Sequence, residues 1–334
     1  MTSASQRLTE LLTGFWTTQA TYTAVALGLA NHMSTTELRP VSALADSTST
    51  NVDALRRLLA FLGACEIVEG SPETGYRLSS TGALLRDDAD GSMSAHVRMY
   101  GDYFYRCWAS LLHVIQSGRP AFDRTFGTDL FTYLAEHPGA SRDYEQMMIG
   151  GAPYFADLDR ICPFTGDETV VDVGGGHGAL LAELLSCHPT MSAILFDAPH
   201  VIDETETSPI ATEFADRCQR VGGDFFKNIP SGGDVYVLSR ILHCFDDPAC
   251  ARILARCGES MKPEGRLLVL ERIMENGADS LLTCGFNLHM LTVLGGGRER
   301  GVAEFEKLLT GAGFALLERH SLSLGMHVLV AAPS

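Results

Sequence analysis

The chain has 334 residues, 46% of them hydrophobic, which is enough for two domains and a large hydrophobic core. Its 41 acidic and 25 basic residues give a net charge of −16, which disfavours nucleic acid and anionic membranes as partners. No apolar run reaches the roughly 20 residues of a membrane span, and no signal-peptide pattern opens the chain.

The nine cysteines are scattered and include no C-x-x-C pair. This pattern is typical of free thiols in a reducing compartment, so we expect a cytoplasmic protein. No metal-ligand spacing stands out, and we expect no metal cofactor.

Residues 1–95 predict a mostly helical N-terminal domain. Residues 6–33 form one helix that is more apolar than a surface helix requires, which core packing or burial in a partner subunit would explain. Two helices and a hairpin follow within residues 41–78, in the order of a winged helix-turn-helix. Its second helix offers only Arg56 and Arg57 to DNA, so we favour a dimerisation domain over a DNA reader.

Residues 96–164 predict a helical connector rich in aromatic side chains. These side chains either contribute to a pocket for a flat, apolar substrate or pack as ordinary core. Met147 and Met148 lie near its end and can adapt to a ring.

Residues 165–334 alternate between strands and helices, which predicts an α/β domain with a Rossmann-like, doubly wound sheet closed by a hairpin. The predicted strands are 168–173, 192–197, 219–223, 234–239, 265–271, 314–320 and 325–332, with a helix at 301–312. Ligands of such sheets bind at the carboxyl ends of the strands. The candidate residues at or just beyond those ends are Gly174, Asp197, Asp224, Ser239 and Glu271.

A glycine turn follows the first strand of this sheet and opens a helix at Ala179. Its glycines, Gly174, Gly176 and Gly178, depart from the G-x-G-x-x-G spacing of pyrophosphate-binding turns, because the third comes one residue early. The spacing therefore favours S-adenosylmethionine (SAM), which has no phosphate, over a nicotinamide or flavin. A purely structural turn is the other alternative.

Two acids after the next strands fit an adenosyl ligand. Asp197 ends the second strand, where an acid can accept both ribose hydroxyls, although NAD and SAM share that ribose. Asp224 and Phe225 together suit the edge and face of an adenine, while Asp224 is also explained as a turn acid that caps its loop.

His243 follows the fourth strand, on the ligand-binding face. A neutral imidazole is the best side-chain base near neutral pH, and Glu271 at the next strand end can hold its other nitrogen. Glu299 follows in a glycine-rich loop, which completes an arrangement of a base and its orienting acids. A core or capping histidine is the alternative.

Taken together, these runs resemble the caffeic-acid-type, class I SAM-dependent small-molecule O-methyltransferases. The sequence is most similar to the bacterial members that modify aromatic antibiotics. The matching runs span nearly the whole chain: the N-terminal module and residues 171–178, 196–201, 223–226, 242–243, 270–272 and 296–300.

The resemblance implies a homodimer and a role for each matching residue. His243 would take the proton of a substrate hydroxyl, with Glu271 and Glu299 flanking it. The implied SAM contacts are Gly174, Gly176, Asp197, Asp224, Phe225, Ser239, Arg240 and Phe245. The implied acceptor pocket is lined by Tyr144, Met147, Met148, His289, Met290 and Leu294.

One departure from the family lies beside the base, where Cys244 and Phe245 replace the usual Asp and Trp. Four other functions stay open: an N-methyltransferase, a relative that keeps SAM for hydroxylation, decarboxylation or a pericyclic reaction, a ligand-sensing winged-helix transcription factor, and a nicotinamide dehydrogenase. The presence of His243 and both glutamates argues against a relative that keeps SAM for another reaction. The net charge argues against a transcription factor, and the glycine spacing argues against a dehydrogenase.

Overall fold

The computed structural model describes residues 3–150, 154–275 and 279–334. The chain divides into two compact units, one of residues 1–109 and 137–151, the other of residues 110–136 and 152–334. The predicted domain boundaries after residues 95 and 164 stay predictions, and residues 151–153 of the predicted connector lie outside the described residues.

The first unit begins with two helices, α1 (Ala4–Leu12) and α2 (Gly14–Ala26), followed by a 3₁₀ turn at Leu29–His32. The prediction of a single helix over residues 6–33 is therefore wrong. Thr13 ends α1 with φ −94° and ψ 1°, and the next residue, Gly14, has a low helix propensity; Gly28 then turns left-handed at φ 62°.

The predicted helix–helix–hairpin order is confirmed. Helices α3 (Val41–Thr48) and α4 (Val52–Ala64) precede the antiparallel strands β1 (Val68–Ser71) and β2 (Gly75–Leu78). The Asn51 side chain accepts the Ala54 amide at 3.0 Å and so starts α4. Leucines at positions 55, 59 and 62 then face the core of the unit.

The middle of the chain is helical, as predicted. Helices α5 to α12 span Ser80–Ala83, Ser94–Arg98, Phe104–Trp108, Leu111–Ser117, Ala121–Phe126, Leu130–Glu136, Pro138–Gly150 and Phe155–Ile161. A π-helical turn at Met99–Tyr103 joins α6 to α7. Helices α6 and α11 pack together in the first unit, while α8 and α9 pack against a later helix, α17 (Leu281–Leu294), in the second.

A seven-stranded sheet organises the second unit, which confirms the predicted doubly wound α/β fold. Strands β3 to β9 span Thr169–Val173, Ser192–Asp197, Cys218–Gly222, Val235–Ser239, Arg266–Arg272, Phe314–Ser321 and Met326–Pro333. Their order is β5-β4-β3-β6-β7-β9-β8, with the first five parallel and the last two antiparallel. The other helices of this unit, α13 to α16 and α18, span Ala179–Cys187, Pro199–Asp203, Pro209–Thr212, Asp247–Ser260 and Val302–Gly311.

Apolar side chains cover both faces of the sheet. Val170 packs with α13 on one face, and Val171 packs with α16 and α18 on the other. Burial on both faces explains the continuous apolar runs of the parallel strands. Among the described residues, none of the helices has both the length and the apolarity that crossing a membrane requires.

Candidate active site

The glycine turn lies at the carboxyl end of β3. Gly174, Gly176 and Gly178 adopt φ values of 74°, 57° and 78°, in the left-handed region that favours glycine. The Gly176 amide donates to Asp197 Oδ2 at 2.8 Å, and the Ala198 amide donates to Asp197 Oδ1 at 2.6 Å. Asp197 thus braces the turn, and each carboxylate oxygen keeps capacity for a further bond.

A buried carboxylate that the sequence analysis did not single out lies beneath this turn. Asp172 is 2% exposed, and its Oδ1 has no hydrogen-bond partner among the described residues. Burial, with a contribution from Asp197, raises the pKa of Asp172 to about 7. The sequence did offer a signal for Asp172, namely an acidic residue within a run of apolar residues. Aspartate is almost never fully buried unless it is paired.

Three phenylalanines form a cluster beside the turn. Phe245 meets Phe225 and Phe226 edge-to-face, with ring centroids 5.8 Å and 5.3 Å apart. A Cβ on Gly174 would lie 3.8 Å from Phe225, so this ring borders the turn. Asp224, by contrast, accepts the Phe226 amide at 2.9 Å and pairs with Lys227, as expected of an acid that caps its own loop.

Ser239 and Arg240 end β6 next to the turn. Ser239 Oγ is buried and has no hydrogen-bond partner within the described part of the chain. Arg240 has a φ of 57°, an unusual backbone for a non-glycine residue, and its amide donates to the Leu270 carbonyl at 2.9 Å. The chain therefore turns sharply before the segment that carries His243.

His243 and the two predicted acids meet. His243 lies on a 3₁₀ turn (Leu242–Cys244), and its Nδ1 is 3.2 Å from Glu299 Oε1 and 3.5 Å from Glu271 Oε2. The His243 amide also donates to Glu271 Oε1 at 3.2 Å. Since an ionised carboxylate only accepts, Nδ1 carries the hydrogen of this contact, and Nε2 is the ring nitrogen left to take up or release a proton. The three residues define the triad.

The two acids of the triad are almost fully removed from water, with Glu271 0% and Glu299 3% exposed. Burial lowers the pKa of His243, but the charges of Glu271, Cys244 and Glu299 more than offset this and raise it well above its usual value. Burial raises the pKa of Glu271, and the charge of His243 opposes that rise. One ligand atom from each residue of the triad lies within 4.8 Å of the others, a spacing that can also hold a metal ion.

Backbone bonds and a buried arginine orient the triad. Asn287 on α17 accepts the Glu299 amide at 3.1 Å, and the Arg298 amide donates to the His243 carbonyl at 2.9 Å. Arg300, 0% exposed, donates to the Leu242 and Phe245 carbonyls at 2.8 Å and 2.7 Å. Sequence reasoning did not identify Asn287 or Arg300.

The departure at Cys244 has a local explanation. Its half-buried thiol donates to the Arg240 carbonyl at 3.6 Å, so it closes the 240–244 turn. The neighbouring Phe245 keeps an aromatic face in the phenylalanine cluster.

The predicted acceptor-lining residues divide between the two units. Tyr144, Met147 and Met148 lie on α11 of the first unit, and Met147 is buried there. His289, Met290 and Leu294 lie on α17 of the second. Burial, and then the charge of His243, lowers the pKa of His289 to about 4, so its imidazole is neutral. Their joint role stays a prediction.

Comparison with known proteins agrees with this arrangement. An O-methyltransferase domain model matches residues 108–315, and an O-methyltransferase dimerisation domain model matches residues 9–88. The chain is 50% identical to the 3-amino-4-hydroxybenzoate 4-O-methyltransferase of Streptomyces cremeus, over 98% of this chain and 90% of the relative.

Solved structures are similar over almost the whole chain. The crystal structure of LaPhzM is 34% identical with a TM-score of 0.93, covering 99% of this chain and 100% of the other. The O-methyltransferase NcsB1 from neocarzinostatin biosynthesis, solved with SAM and 2-hydroxy-5-methyl naphthoic acid, is 30% identical with a TM-score of 0.78 and covers 95% and 96%. The chain therefore belongs to the O-methyltransferase family, in its bacterial natural-product branch, and is a SAM-dependent O-methyltransferase.

Proposed function

We propose that this enzyme methylates a hydroxyl group of an aromatic small molecule in secondary metabolism, with His243 as the general base. One observation carries the proposal: Glu299 Oε1 and Glu271 Oε2 lie 3.2 Å and 3.5 Å from His243 Nδ1, so the two acids orient the ring through this nitrogen. A base oriented in this way can accept a phenolic proton as the oxygen attacks.

When bound, SAM supplies an electrophilic methyl group on a positively charged sulfur. The acceptor hydroxyl gives its proton to His243 Nε2, and Nδ1–H keeps its bond to Glu299, which stabilises the imidazolium that forms. Correct alignment of oxygen and methyl carbon contributes several kcal/mol, about 7–11 in the best cases. The sulfonium carbon is already electrophilic, so the reaction needs no Lewis acid, and we expect no catalytic metal.

The residues at the strand ends fit a SAM molecule. Asp172 Oδ1 and Ser239 Oγ are buried polar atoms without hydrogen-bond partners in the part of the chain that the structure describes, and a ligand with an ammonium group and hydroxyls would satisfy them. The turn at Gly174 and Gly176, with Asp197, would hold the amino acid and ribose parts. The remaining proposed SAM contacts are Asp224, Phe225, Arg240 and Phe245, of which the two rings would face the adenine.

The proposed acceptor-binding residues are Tyr144, Met147, Met148, His289, Met290 and Leu294. Apolar and aromatic groups suit a flat ring, and the neutral His289 can hydrogen-bond a substituent of that ring. Since the relative from Streptomyces cremeus is named for 3-amino-4-hydroxybenzoate, we propose a hydroxylated benzoate or a close aromatic analogue as the acceptor.

We also propose that the protein is a cytoplasmic homodimer without nucleic-acid or membrane partners. Residues 1–95 would form the dimerisation domain, residues 96–164 the helical connector, and residues 165–334 the SAM-binding domain. The dimerisation-domain match to residues 9–88 supports the first of these domains, and the net charge of −16 disfavours nucleic acid and anionic membranes as partners.

The test is a methyl-transfer assay with SAM and 3-amino-4-hydroxybenzoate, read by mass spectrometry and NMR. We expect one added methyl group on oxygen, and a loss of about 10²- to 10⁴-fold in kcat for His243→Ala. His320→Ala is the matched control, because His320 forms an exposed pair with Glu318 at 2.7 Å. Methylation of the amino nitrogen, or a product without added mass, would overturn the O-methyl assignment.

A further inference from the structure

The triad has more buried carboxylate oxygens than its hydrogen-bond donors satisfy. Glu271 Oε2 and Glu299 Oε2 are both buried, and neither has a hydrogen-bond partner among the described residues. The single Nδ1–H of His243 donates to Glu299 Oε1. A buried carboxylate oxygen without a partner costs free energy, so the pair favours a bound cation.

Two distances in the triad match the edges of a small tetrahedral cation site. Nδ1 lies 3.2 Å from Glu299 Oε1 and 3.5 Å from Glu271 Oε2, and all three residues can offer ligand atoms within 4.8 Å. Zinc binds imidazole nitrogen and carboxylate oxygen at about 2.0–2.2 Å, which sets neighbouring ligands roughly 3.4 Å apart in a tetrahedron. One imidazole and two carboxylates also resemble the His/Glu donor sets of known zinc sites.

We propose that the triad is a site for a divalent cation with the ligand preference of Zn²⁺, and that the cation inhibits methyl transfer. The ligands are His243 Nδ1, Glu271 Oε2 and a Glu299 oxygen, and water takes the fourth position. Binding displaces the hydrogen from Nδ1 while the ring takes one up at Nε2, so the imidazole stays neutral with no net loss of a proton, and the two carboxylate charges balance the charge of the ion.

Inhibition follows from the tautomer that the cation imposes. A neutral imidazole has one N–H, so coordination through Nδ1 leaves the hydrogen on Nε2. Nε2 then has no lone pair to accept the acceptor's proton. This part rests on the proposed role of His243 as base, whereas cation binding itself does not.

The test measures binding without turnover. The full-length protein is titrated with Co²⁺, whose visible absorption is strong in tetrahedral sites, and then with Zn²⁺ as a competitor. We expect the visible bands to appear, to vanish when zinc is added, and to lack the sulfur charge-transfer band that binding to exposed thiols such as Cys187 and Cys284 would produce.

Three variants assign the ligands. Glu271→Gln, Glu299→Gln and His243→Ala should each weaken cobalt binding by more than the about 10- to 100-fold that loss of an outer-sphere partner costs. Glu318→Gln, in an exposed His–Glu pair, should bind as wild type does. Circular dichroism confirms that each variant is folded; should one buried variant unfold, the other two still decide the assignment.

The outcomes separate the two proposals. Unchanged cobalt spectra in all three triad variants, or a sulfur charge-transfer band alone, would overturn the cation site. Binding at the triad without slower methyl transfer would overturn the inhibition. An enzyme that transfers no methyl group even with chelator present would instead overturn the proposed function. The cobalt spectra would then still decide whether the cation site exists.

Discussion

At the scale of single residues, we expect the charge around His243, the proposed base, to set the pH range of activity. Burial lowers the pKa of the imidazole, while Glu271, Cys244 and Glu299 raise it well above the usual value. The base must lose its Nε2 proton before it acts, so we expect kcat/KM to rise with pH through an apparent pKa above about 6.5. That value belongs to the coupled triad rather than to one residue. A pH–rate profile measures it.

Glu299→Gln tests the source of that shift. Removal of one carboxylate disfavours the imidazolium, so the rising limb of kcat/KM should move to lower pH. We expect kcat to fall on the order of 10- to 100-fold, because the ring also loses an orienting partner. Glu318→Gln, on the exposed pair, is the control. A fall in kcat with an unmoved limb would mean that Glu299 does not act on the charge of His243.

Asp172 links stability to cofactor binding. Its pKa is raised to about 7 by burial, with Asp197 adding to the rise. A carboxyl with a raised folded-state pKa contributes full stability below pH about 4, and that contribution is lost as pH rises to about 7. The loss amounts to at most about 4 kcal/mol for a shift of about three units.

Asp172→Asn should therefore stabilise the SAM-free protein at pH 8 and leave it unchanged at pH 4, as measured by denaturant unfolding. The same change should weaken SAM binding by about 10- to 100-fold, because a charged hydrogen bond to its ammonium is lost. Calorimetry with SAM measures this second effect. Unchanged affinity would exclude Asp172 from the SAM site, whatever the stability result.

At the scale of elements, the segment from β6 to α16 depends on Arg300. This guanidinium is fully buried, donates to the Leu242 and Phe245 carbonyls, and pairs with Asp247 at 2.8 Å. Arg300→Lys keeps the charge but loses the planar fork that reaches all three groups. We expect the free energy of unfolding to fall by about 2–4 kcal/mol, since buried carbonyls lose donors.

Arg300→Lys should also lower kcat, because His243 lies between Leu242 and Phe245, whose carbonyls accept from Arg300. Arg298→Lys is the matched control: Arg298 pairs with the same Asp247 but is 38% exposed, so its stability change should stay below about 1 kcal/mol. Equal effects of the two substitutions in chemical denaturation would contradict a special role for the buried guanidinium.

The strands of the sheet were predicted more accurately than the buried side-chain contacts that hold the active-site segment, for a physical reason. Strands of the second unit are short apolar runs between polar turns, and each predicted strand lies within one residue of the observed bounds. Arg300 pairs with Asp247, which lies 53 positions earlier in the chain. From the sequence alone, Arg300 cannot be told from an ordinary surface arginine. The break at Thr13 was not predicted, because it leaves the density of apolar residues along the segment unchanged.

The triad was predictable because its members follow strands or loops at one edge of the sheet, where a parallel fold brings strand ends together. The excess of carboxylate oxygens over hydrogen-bond donors in the triad was not predictable, because the number of hydrogen bonds depends on distances between side chains. Asp224 shows the converse case: its position suits an adenine, but in the structure it accepts the Phe226 amide and pairs with Lys227.

At the scale of the whole molecule, α1 and the start of α2 carry an uncovered apolar surface. None of the residues of α1 is buried, and five large apolar side chains here are between 50% and 67% exposed: Leu8, Leu11, Leu12, Phe15 and Trp16. The dimerisation-domain match begins at residue 9, within this surface. Monomers rarely expose a contiguous patch of this kind, so we expect a second copy of the chain to cover it.

The double variant Leu12→Glu/Trp16→Glu should be monomeric in analytical ultracentrifugation at concentrations where wild type is a dimer. Burial of one large apolar side chain is worth about 1.5–3 kcal/mol, and a charge in its place adds a desolvation cost. Leu324→Glu is the control, because Leu324 is 51% exposed but lies in the second unit. A double variant that still sediments as a dimer would move the interface away from α1 and α2. A wild-type monomer would mean that the apolar surface serves another partner.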